Sequence, residues 1–241
     1  MGTLWPIKKK EPIRLIKQRL PKHIAIAIDV SEQESPSLNV LTLQKLIELQ
    51  VRLGVPVITF NILPYRSEVP TDALVEALGA LNSWTFLTDK EIKISVLGRW
   101  YDLPERVVDR IKEVILRTKD HEGPIVNIGV NYDGQEELVD AMSRIARQVK
   151  AQKVDPERIT KEIVKMNLDT ALLAAPDLII TTGKTFSLRS FMLWDSAHAK
   201  IFFSNVAWNE FRGDTLLKAL VFYQNTRAEK SRTINLGQTP L

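Results

Sequence analysis

Apolar and polar residues alternate along the chain in two rhythms. Strand-length stretches rich in apolar residues lie at 23–28, 55–62, 92–97 and 125–130. The first, HIAIAI, is a continuous run too short for a helix and predicts a strand buried on both faces, and the others predict three further strands. Between them apolar residues recur every three or four positions: Val40, Leu43, Ile47 and Val51 ahead of Gly54, Val107, Ile111, Val114 and Ile115 behind Pro104, and Leu138, Met142, Ile145 and Val149 within 135–150. That spacing predicts amphipathic helices, with Asp102 placed to accept amide hydrogen bonds at the start of the second. Further helices are expected at 71–81, 156–165, 168–174 and 215–227.

The stretch 176–211 reads as an apolar strand (178–180), a polar turn (181–187), an amphipathic segment (188–199) and a second apolar strand (201–203). Strands alternating with helices argue an α/β fold, a six-stranded, mainly parallel sheet surrounded by helices. No internal repeat or linker interrupts the pattern. The expected organisation is a basic amphipathic segment at 1–22, a single domain at 23–232 and a frayed tail at 233–241.

Composition narrows the partners. Of the net charge of +4, residues 1–23 hold seven cations against Glu11, so the body carries a small negative excess and is not a nucleic-acid-binding surface. The basic stretch alternates with Leu4, Trp5, Ile7, Ile13, Ile16 and Leu20, a pattern that suits either an anionic membrane surface or a helix packed on the domain edge. There is no apolar run of the roughly 18 to 20 residues a membrane span needs, and no signal-peptide core. A cytoplasmic protein, peripheral to membranes at most, is expected. With no cysteine and three histidines, any metal would be held by oxygen, and magnesium is the expected ion.

Candidate chemistry starts at Asp29. A carboxylate at the carboxyl end of a first buried strand faces the crevice where open α/β sheets bind ligands, although a turn or capping aspartate has the same look. The polar turn after residue 180 would lie at the same edge. Asn131 and Gly134 look structural, supplying a cap and a flexible backbone to a strand-to-helix turn.

Residues 20–29 (LPKHIAIAID) are similar to the opening L-P-x-H-I-A-x-x-x-D of the cis-prenyltransferases, the undecaprenyl or dehydrodolichyl diphosphate synthase family. Residues 126–134 (VNIGVNYDG) and 176–194 (PDLIITTGKTFSLRSFMLW) resemble two further family blocks, N-I-A-x-N-Y-G-G and P-D-L-I-I-R-T-G-G-E-x-R-x-S-N-F-L-L-W. The resemblance spans about residues 20–211. It implies that Asp29 holds magnesium and assists loss of diphosphate from an allylic substrate. Substrate-binding positions carried over by the same resemblance are Asn61, Arg66, Thr181, Lys184, Ser187, Arg189 and Lys200.

Several functional letters differ from the family's. The glycine-rich phosphate loop after Asp29 is replaced by Val30, Ser31, Glu32, Gln33, Glu34 and Ser35. Thr181 and Ser187 stand at arginine positions, Lys184 at a glycine, Arg189 at a serine and Lys200 at the metal-binding glutamate. An ammonium at the metal position implies anion binding without a metal, through Lys184, Arg189 and Lys200.

The resemblance further implies isoprenyl diphosphate ligands, a homodimer or a heteromer with a second subunit of the family, and an interface at strand six, with Phe202, Phe203, Trp208 and Phe211 as candidates. It also implies a hydrocarbon tunnel between the sheet and the helices at 38–53 and 69–81. Two readings follow: a catalytically weak or silent subunit of a heteromeric synthase, or a self-sufficient synthase that condenses isopentenyl diphosphate with an allylic diphosphate. An offshoot that binds a terpenoid or carries out an atypical terpenoid reaction is a third. The silent subunits of the family usually end in R-x-G, a motif absent from residues 231–237.

Overall fold

Six parallel strands form one sheet in the order β3-β4-β2-β1-β5-β6. A computed structural model describes residues 20–29, 39–66 and 70–236, with side chains to residue 226. The basic segment to residue 19, residues 30–38 with Glu32 and Glu34, residues 67–69 and residues 237–241 lie outside the described residues.

The strands are β1 (His23–Ala27), β2 (Val57–Pro64), β3 (Lys93–Leu97), β4 (Ile125–Tyr132), β5 (Leu178–Thr181) and β6 (Lys200–Phe203). Among the described residues the helices are α1 (Val40–Leu53), α2 (Thr71–Asn82), α3 (Phe86–Asp89), α4 (Glu105–Thr118), α5 (Gly134–Lys150), α6 (Lys161–Met166) and α7 (Gly213–Leu236). None of them is long and apolar enough to cross a membrane.

β1, the uniform apolar run, is buried along its whole length inside the sheet, whereas β3 lies at the sheet edge with Lys93 exposed. Side chains alternate across a strand, so Ile24 and Ile26 point to one face and Ala25 and Ala27 to the other. The isoleucine face packs with Ile58, Phe60, Val126 and Ile128 against α1, α2, α4 and α7 in the main core. Leu43, Leu46, Leu74 and Leu78 fill the layer between the sheet and α1 and α2. The alanine face is smaller and meets Tyr132, Ile179, Phe191 and Met192.

That second face is also polar. His23 is fully buried, with Nδ1 2.6 Å from the Ala174 carbonyl and Nε2 2.7 Å from Thr59 Oγ1, which accepts from Asn127 Nδ2 at 2.9 Å. Burial lowers the His23 pKa below its ordinary 6.5. The unfolded chain therefore takes up a proton that the folded one resists. His23 contributes stability that is fully present above pH 6.5 and is lost as pH falls through the folded value, with a slope of up to about 1.4 kcal/mol per pH unit. Thermal melts between pH 7.5 and 5.5 should show this fall, and His23→Gln should flatten it; an unchanged slope in the variant would assign the fall elsewhere.

Several local expectations are corrected. Asp102 makes no cap for α4, whose N-cap is Pro104; it closes a 3-10 turn instead. Residues 168–174 form turns and no helix, because Thr170 gives its N–H to Glu137 Oε1 and its carbonyl to Lys165 Nζ. Residues 188–199 are turns ending in a 3-10 segment, Asp195–His198, not a continuous amphipathic helix. The closing helix runs to Leu236.

Two of the four aromatic interface candidates are core residues. Trp208 is 1% exposed and stacks on Phe211 and edgewise on Phe60, and Phe211 is fully buried. Neither can reach a partner. Phe203 is exposed beside Phe186, with ring centroids 6.0 Å apart, and Phe202 packs on Phe222.

Candidate active site

The strand register fixes where the chemistry gathers. Ala27 pairs with Asn61 and Thr181, Asn61 with Gly129, and Thr181 with Phe203, so these residues share one row at the carboxyl end of the sheet. Asp29 lies two residues beyond Ala27, above that row, and is 3% exposed.

The turn after β5 wraps over Asp29. Thr182 N–H donates to the Ala27 carbonyl at 3.0 Å, and Asp29 N–H donates to Thr182 Oγ1 at 2.9 Å. Gly183 crosses the carboxylate with φ +83; a Cβ there would come within 2.8 Å of Asp29 Cβ and 2.9 Å of Oδ2. Glycine is required at this point by both conformation and space.

Two donors then close on one oxygen. Thr185 Oγ1 and Arg189 Nη2 each lie 2.9 Å from Asp29 Oδ2. The Asp29 side chain is 2% exposed and that of Arg189 34%, so the ion pair is half in the interior. A charge-assisted bond of this kind is stronger than a neutral one, and an aspartate so deep would otherwise be an uncompensated charge.

Arg189 is placed by its neighbours. Phe186, Arg189, Ser190 and Met192 all have φ between 44° and 59°, a left-handed conformation that non-glycine residues adopt only when the surroundings impose it. Burial imposes it here: Phe191 and Met192 are wholly enclosed on the alanine face, Phe191 edge-on to Tyr132, and Gly134 N–H donates to the Ser190 carbonyl at 3.0 Å. Gly134 is needed for close approach rather than for flexibility, since a Cβ would meet that carbonyl at 2.2 Å. The helix cap is Asp133, which accepts from the N–H groups of Gln135 and Glu136. Asn131 is left-handed and accepts from Arg66 N–H while donating to the Arg99 carbonyl.

The resulting cleft is lined by Asp29, Asn61, Pro64, Thr182, Thr185, Ser187 and Arg189 among others. Asn61 Oδ1 and Thr181 Oγ1 are buried at this row without a hydrogen-bond partner. Buried polar atoms left unpaired are expensive, and these two share the row that ends below Asp29.

Most of the predicted site residues come together. Asp29, Asn61, Ser187 and Arg189 line the cleft and Thr181 underlies it. Ser187 Oγ accepts from Arg189 N–H at 3.1 Å. Lys184 is exposed on the same turn, at the rim. Arg66 is at the same edge, but its guanidinium lies over the Tyr65 ring, 5.0 Å from the centroid, and is not among the lining residues. Thr182 and Thr185 were missed, although the hydroxyl run around Gly183 (TTGKT) at a strand end was visible.

Lys200 is placed elsewhere. It pairs with Leu178, which pairs with Ile24, and its N–H donates to the Asp177 carbonyl, so it stands at the amino end of β6. At about 3.3 Å per residue this is roughly 10 Å below the row that carries the site. Its motif position suggested the metal site; the strand direction puts it on the opposite edge.

The implied magnesium fits poorly. Among the described residues no group of three or more carboxylates or imidazoles could hold a metal ion. Asp29, the one carboxylate among the described residues lining the cleft, already has a guanidinium on Oδ2, and a cation there would face that fixed positive charge.

Residues 31–231 match the family model described as "Putative undecaprenyl diphosphate synthase". The chain belongs to the cis-prenyltransferase (undecaprenyl diphosphate synthase) family. It is similar to the tritrans,polycis-undecaprenyl-diphosphate synthase (geranylgeranyl-diphosphate specific) of Methanocaldococcus jannaschii, at 31% identity over 86% of this chain and 81% of that one. An isoprenyl transferase of Streptococcus agalactiae is 29% identical over 91% and 96%. Lavandulyl diphosphate synthase from Lavandula x intermedia, solved in complex with dimethylallyl diphosphate, superposes with a TM-score of 0.77 at 25% identity, covering 85% of this chain and 95% of that one. The six-stranded all-parallel sheet is thus that of the cis-prenyltransferases.

Proposed function

We propose that this cis-prenyltransferase family member binds isoprenyl diphosphates at the carboxyl edge of its sheet and serves as a catalytically weak or silent subunit of a heteromeric polyprenyl diphosphate synthase. The substrate class is supported by the relatives, one specific by name for geranylgeranyl diphosphate and one solved with dimethylallyl diphosphate. The observation that carries the weak turnover is the carboxylate of Asp29, bonded on Oδ2 by both Thr185 and Arg189. A carboxylate held in that way is poorly placed to assist departure of a diphosphate, because its charge is already balanced inside the protein.

A second reading, a self-sufficient synthase, is favoured by the convergence of Asp29, Asn61 and Arg189 on one cleft with two unpaired polar atoms beside it. The two separate in an incorporation assay with radiolabelled isopentenyl diphosphate and farnesyl diphosphate, run with magnesium and with an active family synthase from the same cell. A silent subunit raises the partner's incorporation saturably as it is added. An additive rate with no saturation supports independent turnover, and no effect on the partner rejects the subunit role.

A further inference from the structure

A stripe of polar side chains on the alanine face climbs from the amino edge of the sheet toward the cleft. His23, Thr59 and Asn127 are fully buried there, with Thr59 paired to Ala25 on one side and to Asn127 on the other. Two residues further along β2 and β4, on the same face, stand Asn61, which lines the cleft, and its partner Gly129.

Donor and acceptor chemistry fixes the direction of every bond in the stripe. A carbonyl can only accept, so the 2.6 Å contact with Ala174 places a proton on His23 Nδ1. In the neutral ring Nε2 is then bare, and the Thr59 hydroxyl 2.7 Å away donates to it. That hydroxyl has a single proton, so toward Asn127 it can only accept. The 2.9 Å contact accordingly comes from Asn127 Nδ2, and Oδ1 is left buried without a hydrogen-bond partner. All the bonds run one way, from Asn127 through Thr59 and His23 to Ala174.

We propose that the stripe is a proton-operated switch: a proton taken up at His23 reverses the hydrogen bonds through Thr59 and turns over the Asn127 carboxamide, one row below the cleft. With Nε2 protonated, the ring donates to Thr59 Oγ1, and the hydroxyl proton has to turn to another acceptor. Asn127 Oδ1, unpaired until then, is brought to it by a half-turn of the carboxamide. One proton enters from water, and the Nδ1–H bond to Ala174 is kept. The charged groups that face the ring are Asp177 ahead of β5, Asp195 in the 3-10 segment and Lys165 on α6. Burial, the largest influence, holds the pKa of His23 below its ordinary 6.5, the two aspartates favour the proton and Lys165 opposes it. The switch therefore works on the acid side of that value. It is independent of what the cleft binds.

Long-range proton–nitrogen correlation NMR of the nitrogen-15-labelled full chain, titrated from pH 8 to pH 5, tests this. At pH 8 the His23 ring is expected as the Nδ1–H tautomer. As pH falls, the side-chain amide signals of Asn127 should shift with the same midpoint as the ring. Thr59→Val should uncouple them, the ring titrating while the amide stays still, and Thr59→Ser, which keeps the hydroxyl, should retain the coupling. Asn127→Asp, an acceptor with a negative charge of its own, should raise the midpoint by about one pH unit or more. An Nε2–H tautomer at pH 8, a ring that stays neutral until the chain unfolds, Asn127 signals that ignore the ring's midpoint, or a coupling that survives Thr59→Val would each overturn the switch. Where a variant fails to fold, the wild-type titration decides by the first three of these outcomes.

Discussion

Lys165→Ala is expected to lower the melting temperature by about 10 °C or more. Lys165 Nζ lies 2.7 and 2.8 Å from the two carboxylate oxygens of Asp195 and also donates to the Thr170 carbonyl at 2.7 Å. The Asp195 side chain is 4% exposed, so truncating the lysine strands a buried charge. Breaking such a pair costs roughly 3–5 kcal/mol, and a domain of this size loses about 2–4 °C for each. The network continues through Thr170 to Glu137, whose Oε2 accepts from Tyr132 at 2.7 Å. Burial raises the pKa of Glu137, and burial together with the Glu137 carboxylate keeps the Tyr132 phenol protonated as the donor. Adding Asp195→Asn to a Lys165→Met background should recover most of the loss, because the stranded charge is then gone. A single-variant loss below about 1 kcal/mol by calorimetry would show the pair behaving as a surface contact instead.

Gly134→Ala should destabilise by roughly 2–3 kcal/mol and weaken diphosphate binding at the same time. The added Cβ would lie 2.2 Å from the Ser190 carbonyl and 2.9 Å from Leu193 N, both backbone atoms that cannot rotate aside. Relief requires the 188–193 segment to move, and Arg189 moves with it. Gly79 in α2 provides the control: its Cβ would meet nothing within 4 Å, and alanine is the better helix former. Gly79→Ala should leave affinity unchanged and raise stability slightly. Equal effects at the two sites would mean that Gly134 matters only for helix propensity.

The strands were legible because a parallel sheet buried on both faces leaves uniform apolar runs such as IAIAI, and Asp29 was legible because it ends the first of them. The ion pair was not, since Arg189 and Asp29 are 160 residues apart and meet only through four left-handed residues that the packing imposes. Lys200 shows the converse failure: a motif gives sequence position, but the side of the sheet follows from strand direction and register. Trp208 and Phe211 could not be sorted by residue type, because core and interface both favour aromatic rings and only packing separates them. Residues 168–174 carry helical spacing, but tertiary bonds from Glu137 and Lys165 take their backbone groups.

The ion pair at Asp29 is the centre of the functional proposal, and single-turnover chemistry probes it most directly. The isolated chain, in molar excess over labelled farnesyl diphosphate, would be mixed with isopentenyl diphosphate and magnesium and quenched over minutes to hours. With Asp29 held by Arg189 and Thr185, the label should remain in the starting diphosphate or advance only at a trace rate, while an active relative under the same conditions converts it fully. Complete conversion by the isolated chain, abolished by Asp29→Ala, would contradict a silent site and establish a self-sufficient synthase.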